Sequence, residues 1–214
     1  MLYPILDTAL LRKHNIDLVE AIALSLSYPL PFVQIRHKAD FDRDFVAQLD
    51  RIAQTAEPSR IILNDRADYS RLFGFGLHVG QEDLPAPEAR SIVGPQATLG
   101  LSTHNDSQMR SAPFAELTYL ALGPIFSTNS KANPDPVVGT DQLRAWRPLC
   151  PLPLVAIGGI TRENAAEVKA AGADYFALLS ALWPPPYTLR SFGHEIETWL
   201  KLYPPPALPP SKKA

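Results

Sequence analysis

The 214-residue sequence predicts a single (β/α)8 barrel, and three observations carry the prediction. Short apolar runs recur eight times, helix-like segments alternate with them, and polar side chains collect just after the runs. The runs lie at 2–6 (LYPIL), 32–36 (FVQIR), 60–64 (RIILN), 76–80 (GLHVG), 98–102 (TLGLS), 119–123 (YLALG), 154–158 (LVAIG) and 175–179 (YFALL). Nearly continuous apolar runs of this length suit parallel strands buried on both faces. Between them, 16–27 and 40–56 read as amphipathic helices. Residues 161–172 read as a third, with Thr161 as its cap and Gly172 as its stop. A doubly wound open sheet is the competing arrangement. The barrel is expected to fill residues 1–202. The proline-rich 203–214 (YPPPALPPSKKA) is expected to be a disordered tail, because it offers little to bury.

Composition narrows the function classes. The chain is 46% hydrophobic and 20% charged, with a formal net charge of -2, so no basic field invites nucleic acid or an anionic membrane. No apolar run approaches the ~20 residues of a membrane span. The opening MLYPILDTALLRKHN lacks the basic and apolar regions of a secretion signal. Cys150 stands alone, so no internal disulfide can form, and a cytoplasmic location is expected. Small molecules are therefore the expected partners. A homo-oligomer is left open.

In a (β/α)8 barrel the loops after the strands converge on one face, and active sites sit there. The alternation in VQIRHK puts Gln34, Arg36 and Lys38 on one side of an extended segment, a pattern suited to a multiply charged anion or to a solvated strand end. Asn64 and Asp65 close the third run, and Asp83 follows the fourth. Two carboxylates at neighbouring strand ends repel unless a cation lies between them, and Mg2+ needs few protein carboxylates. Capping of a helix by Asp65 and of a turn by Asp83 is the plainer alternative. The long segment 123–139 carries Thr128, Ser130 and Lys131 and could close over a phosphate. Gly159, before a helix, could offer backbone N–H groups to an anion, with Leu179 and Ser180 nearby at the end of strand eight. His104 after strand five is a candidate acid or base, with a hydrogen-bonding role as its rival. His78 reads as a core or lumen histidine, and nothing near it supports zinc.

As an ordered set, QIRHK, LNDRAD, GLHVGQEDLP, LGLSTH, LGPIFSTNSK and VAIGGITREN…AGADYFALLSAL resemble the thiamine-phosphate synthase family over about residues 2–183. The resemblance implies a transferase that joins a 4-amino-2-methyl-5-hydroxymethylpyrimidine diphosphate to a 4-methyl-5-(2-phosphoethyl)thiazole. Thiamine phosphate and pyrophosphate are the products, and Mg2+ is the cofactor. It implies Gln34, Arg36, Lys38 and Asn64 as diphosphate ligands and Asp65 and Asp83 as metal ligands. Ser102, Thr128, Ser130 and Lys131 follow as further substrate contacts, with Lys131 on the pyrophosphate. Gly159, Leu179 and Ser180 follow as a cradle for the thiazole phosphate. Arg36, Lys38 and Lys131 would stabilise the leaving group.

The sequence departs from the family at His37, where glutamate is usual, and at Ser130, where threonine is common. A sister family, the thiazole tautomerases, carries a Ser-x-His that Ser102-Thr103-His104 would satisfy. That family tends to lose the acids and lysines retained here. A non-catalytic barrel that binds thiamine precursors is a third reading.

Overall fold

A computed structural model describes residues 1–128 and 135–205. Ser130 and Lys131, and residues 206–214 of the expected tail, lie outside the described residues. Eight parallel strands close into a barrel in sequence order: β1 (Leu2–Asp7), β2 (Val33–Arg36), β3 (Ile61–Asn64), β4 (Gly76–Val79), β5 (Leu99–Thr103), β6 (Tyr119–Leu122), β7 (Leu154–Ile157) and β8 (Tyr175–Leu178). β8 pairs with β1 through Leu2↔Phe176, Tyr3↔Ala177 and Pro4↔Leu178, which rules out the open sheet.

The outer helices follow from the amphipathic segments. α1 (Thr8–Lys13) is a short helix directly after β1, and α2 (Leu18–Leu26) and α3 (Arg43–Thr55) follow, their ends capped by Asp17 and Asp42. α4 (Ala67–Phe73), α5 (Ala86–Val93), α6 (Asp106–Arg110), α7 (Gly139–Trp146), α8 (Ala165–Ala170) and α9 (Leu189–Leu202) complete the ring. α8 begins later than the sequence suggests. Asn164 occupies the cap position, and its side chain accepts from the Thr161 N–H at 2.8 Å. The expected Thr161 cap therefore opens a turn that precedes the helix.

Strand alternation sorts the apolar residues into two cores. One set, including Leu6, Ile35, Leu63, Leu77, Leu99, Leu122 and Leu178, packs against the helices. The other, Tyr3, Ile5, Ile62, Tyr119, Ala121, Val155 and Ala177, fills the lumen. Four aromatic rings gather within the lumen. Phe32 lies 4.7 Å from Tyr3, 5.8 Å from Tyr119 and 5.5 Å from Tyr175, measured between centroids. The loops before the strands are tied by arginines. Arg90 donates to the carbonyls of Gly94, Ala97 and Glu116, and Arg147 to those of Cys150 and Gly172. Arg60 does the same for Leu30 at 2.7 Å.

Gly100 is a spatial requirement of this lumen. It pairs with His78 on β4 and Tyr119 on β6, and a Cβ there would meet the Tyr119 ring at 2.1 Å. Gly100→Ala is expected to displace Tyr119. A cost of about 1–3 kcal/mol should lower the Tm by roughly 2–12 °C in a calorimetric scan. An unchanged Tm would mean that the ring has room elsewhere.

Candidate functional site

The lumen turns polar toward the strand C-termini. Gln34 and Arg36 share the lumen side of β2, because Val33 and Ile35 are committed to the outer core. Ile5↔Gln34 and Asp7↔Arg36 are register partners, so Asp7 stands beside Arg36, and the two form an ion pair. The other Asp7 oxygen accepts the Ala9 and Leu10 N–H groups at 3.0 and 3.1 Å and caps α1. One carboxylate thus anchors a helix and aims a guanidinium. It carried a signal that the sequence reading did not use: Asp7 ends β1 as Asp65 follows β3.

Lys38 pairs with Asp65, whose carboxylate also accepts from the Asn64 side-chain amide. Asp65 does not cap a helix. Arg66 holds the cap position of α4, and Asp65 has φ 68° with its N–H donated to the His78 carbonyl at 2.8 Å. A non-glycine residue in left-handed backbone costs on the order of 1 kcal/mol and is concentrated at functional sites. Asp83 does close a turn, accepting the Gly80 N–H at 2.7 Å. Its carboxyl is also within hydrogen-bonding reach of Asp65, and burial, together with the Asp65 charge, raises its pKa. The two carboxylates therefore face each other with Lys38 as a nearby cation. No cluster of three or more His, Cys, Asp or Glu occurs among the described residues. Two carboxylate donors beside a cationic anion-binding edge suit Mg2+, which takes few protein ligands and shares phosphate oxygens.

His37 has a structural role in aiming these cations. Its ring stacks on Phe45 at 3.6 Å and lies edge-on to Phe41. Its Nε2 donates to the Asp40 carbonyl at 3.0 Å, and Nδ1 is hydrogen-bonded to the Thr8 hydroxyl at 2.7 Å. The segment between Arg36 and Lys38 is thereby fixed from outside the barrel.

Deeper in the lumen, Gln34 donates its amide N–H to Tyr3 at 2.8 Å, and Tyr3 and Tyr119 share a hydrogen bond of 2.8 Å. His78 joins Tyr119 to Ser102, each at 2.9 Å. Burial raises both phenol pKa values and lowers that of His78 to about 4, so all three are neutral at pH 7. The Gln34 amide nitrogen is thus directed into the lumen. Tyr3 and Tyr119 were missed in the sequence because they read as ordinary strand aromatics.

On the far side, His104 directs Nδ1 at the Gly123 carbonyl at 2.6 Å, the hydrogen-bonding role anticipated as its rival. Gly158 and Gly159 have φ 98° and 63°. A Cβ at Gly159 would strike the Ser127 carbonyl at 2.5 Å, so these glycines bring the β7 loop against the segment leading to Thr128. Leu179 packs on the lumen core, and Ser180, itself exposed, opens a 3-10 turn that ends in the buried Leu182.

With this geometry in place, comparison with known proteins identifies the lineage. A family model described as thiamine monophosphate synthase matches residues 2–182. The chain belongs to that family. It is 49% identical to the thiamine-phosphate synthase of Koribacter versatilis over 72% of this chain and 74% of the relative. It is 36% identical to that of Syntrophomonas wolfei over 85% and 87%. Among solved structures, a thiamine phosphate pyrophosphorylase from Pyrococcus furiosus superposes with TM-score 0.76 at 27% identity, covering 94% of this chain and 95% of that one.

The facing carboxylates carry a stability consequence. Asp83→Asn keeps an oxygen for the Gly80 N–H and removes one of two like charges. In metal-free protein the variant is expected to match or exceed the wild-type Tm. Added Mg2+ should raise the Tm of the wild type and leave the variant unmoved. A metal-free variant that melts several degrees lower would show that the pair is not in electrostatic conflict.

Proposed function

We propose that this member of the family joins the aminopyrimidine diphosphate to the thiazole phosphate at the mouth of its barrel, with Mg2+ as cofactor. The observation that carries the proposal is the juxtaposition of the Asp65–Asp83 pair with Arg36 and Lys38 on adjoining strand ends. The carbon–oxygen bond to the diphosphate breaks and its electron pair departs with pyrophosphate. The thiazole nitrogen then supplies the pair that forms the carbon–nitrogen bond. No nucleophilic side chain is required. The protein must place the two substrates and hold charge as it builds on the leaving group.

Arg36 has a nitrogen committed to Asp7 and further N–H donors to turn toward phosphate oxygens. Lys38 can exchange Asp65 for the diphosphate, leaving Asp65 and Asp83 to hold the metal. When bound, Mg2+ supplies charge neutralisation at the diphosphate oxygens. Asn64 steadies Asp65 through its amide. Ser102, Thr128, Ser130 and Lys131 serve as further substrate contacts, with Lys131 on the pyrophosphate. Gly159, Leu179 and Ser180 take the thiazole phosphate. We assign this chemistry to the barrel domain of residues 1–202. A cytoplasmic setting suits the single buried thiol of Cys150.

A product assay tests this reading. Protein given both substrates is expected to release thiamine phosphate and pyrophosphate with Mg2+ and none with EDTA. Arg36→Ala should lose about 10²–10³-fold in kcat/KM, the range for removing a charge-stabilising donor. Equal turnover in EDTA would overturn the metal role. A folded protein with no product under any condition would overturn the activity.

A further inference from the structure

The short helix α1 touches both sides of the barrel mouth. Its first turn belongs to the side of Arg36 and Lys38. Asp7 caps the helix while pairing with Arg36, and the Thr8 hydroxyl is hydrogen-bonded to His37, the residue between the two cations. Its last turn reaches the opposite side. There the His14 ring stacks on that of Tyr187, with centroids 3.9 Å and planes 9° apart. Tyr187 lies in the loop 179–188 after β8, the loop that begins with Leu179 and Ser180.

We propose that α1 is a strut that holds the two substrate halves of the mouth together, and that His14 and Tyr187 are positioning residues whose stacked rings fasten the β8 loop to it. The naming of the halves as diphosphate and thiazole phosphate rests on the function proposed above. The strut rests on the contacts alone.

Both rings are held from behind. The Leu11 carbonyl accepts the N–H groups of His14 and Ile16 at 3.1 and 2.9 Å, and the Leu11 side chain is buried in the outer core. Tyr187 has φ 57°, a left-handed backbone that is unfavourable for a bulky residue and persists only where contacts enforce it. Its N–H donates to the Pro184 carbonyl at 2.9 Å, and the same carbonyl accepts the Ser191 hydroxyl of α9 at 3.3 Å. A glycine would make this turn without strain, so what the tyrosine adds is its ring.

The rest of the loop is tied to α9. Trp183 stacks on Phe192 with centroids 4.1 Å apart. The Leu182 and Trp183 N–H groups donate to the Leu179 and Ser180 carbonyls at 3.2 and 3.0 Å. Loop and α9 thus form one unit, and the His14–Tyr187 stack joins that unit to the helix that Asp7 and Thr8 tie to the cations. Both rings are half-buried, so the contact orients two segments more than it fills a core.

Hydrogen exchange tests the strut without substrate, the reporters being the N–H groups of Leu182, Trp183 and Tyr187. His14→Ala is expected to speed exchange across 179–188 by about two- to tenfold, the range for one aromatic pair. His14→Phe, which keeps a ring, should exchange as the wild type does. Unchanged exchange in His14→Ala would overturn the strut.

Kinetics tests the positioning role. His14→Ala should raise KM for the thiazole phosphate about two- to tenfold. KM for the pyrimidine diphosphate should change less than about twofold, because the first turn of α1 keeps its own partners. Tyr187→Asn, which tolerates left-handed backbone but lacks the ring, should do the same, and Tyr187→Phe should behave as the wild type. A purely structural contact would lower the Tm and leave the ratio of the two KM values unmoved. That result, or an equal rise in both KM values, would overturn the positioning role. If the wild type forms no product at all, the function reading fails separately, and exchange still decides the strut.

Discussion

Closure of eight parallel strands in sequence order is the constraint on which the rest of the structure depends. Once β8 meets β1, every strand has one face in the lumen and one against a helix, and a shift of one residue would exchange them. The apolar residues of β2 illustrate the force of this. Val33 and Ile35 are fully buried on the outside, so Gln34 and Arg36 have only the lumen to enter. The same parity sends Asn64 and His78, register partners on β3 and β4, inward together. Polar side chains are then gathered at one mouth by geometry rather than by any attraction between them.

That gathering places charges where they conflict, and the molecule meets the conflict with partners. Arg36 has Asp7, Lys38 has Asp65, and Asp83 has the Gly80 N–H. Asp65 and Asp83 still oppose each other, and Asp65 holds left-handed backbone as well. A site that keeps such tension has traded stability for pre-organisation. The neutral Tyr3–Tyr119–His78 chain beneath the charges adds a second kind of order. It carries no net charge, so it can fix donors and acceptors without competing for the cations above it.

Much of the architecture was legible from the chain. All eight strands lie within a residue of their apolar runs at most ends, because buried parallel strands leave an unbroken apolar signature. The helix boundaries were less legible. α8 starts at Ala165 because Asn164 folds back onto the Thr161 N–H, a local bond that competes with the expected cap. At the mouth, Asp65, Asp83, Arg36 and Lys38 were readable as strand-end charges. Asp7 was overlooked although it obeys the same rule. Tyr3 and Tyr119 were invisible for a different reason: an aromatic on a strand is ordinarily core, and only the closed lumen brings their hydroxyls to 2.8 Å. His37 gave no pattern because its partners, Thr8 and Phe45, belong to other elements.

The central claim is that the facing carboxylates and the two cations form one metal-diphosphate site. Crystals grown with Mn2+ and pyrophosphate, measured for anomalous scattering, test it most directly. The account predicts one strong peak between the Asp65 and Asp83 carboxylates, with pyrophosphate oxygens completing the shell and Arg36 and Lys38 turned onto the same anion. A metal bound elsewhere, or pyrophosphate held with no metal between the two aspartates, would contradict it.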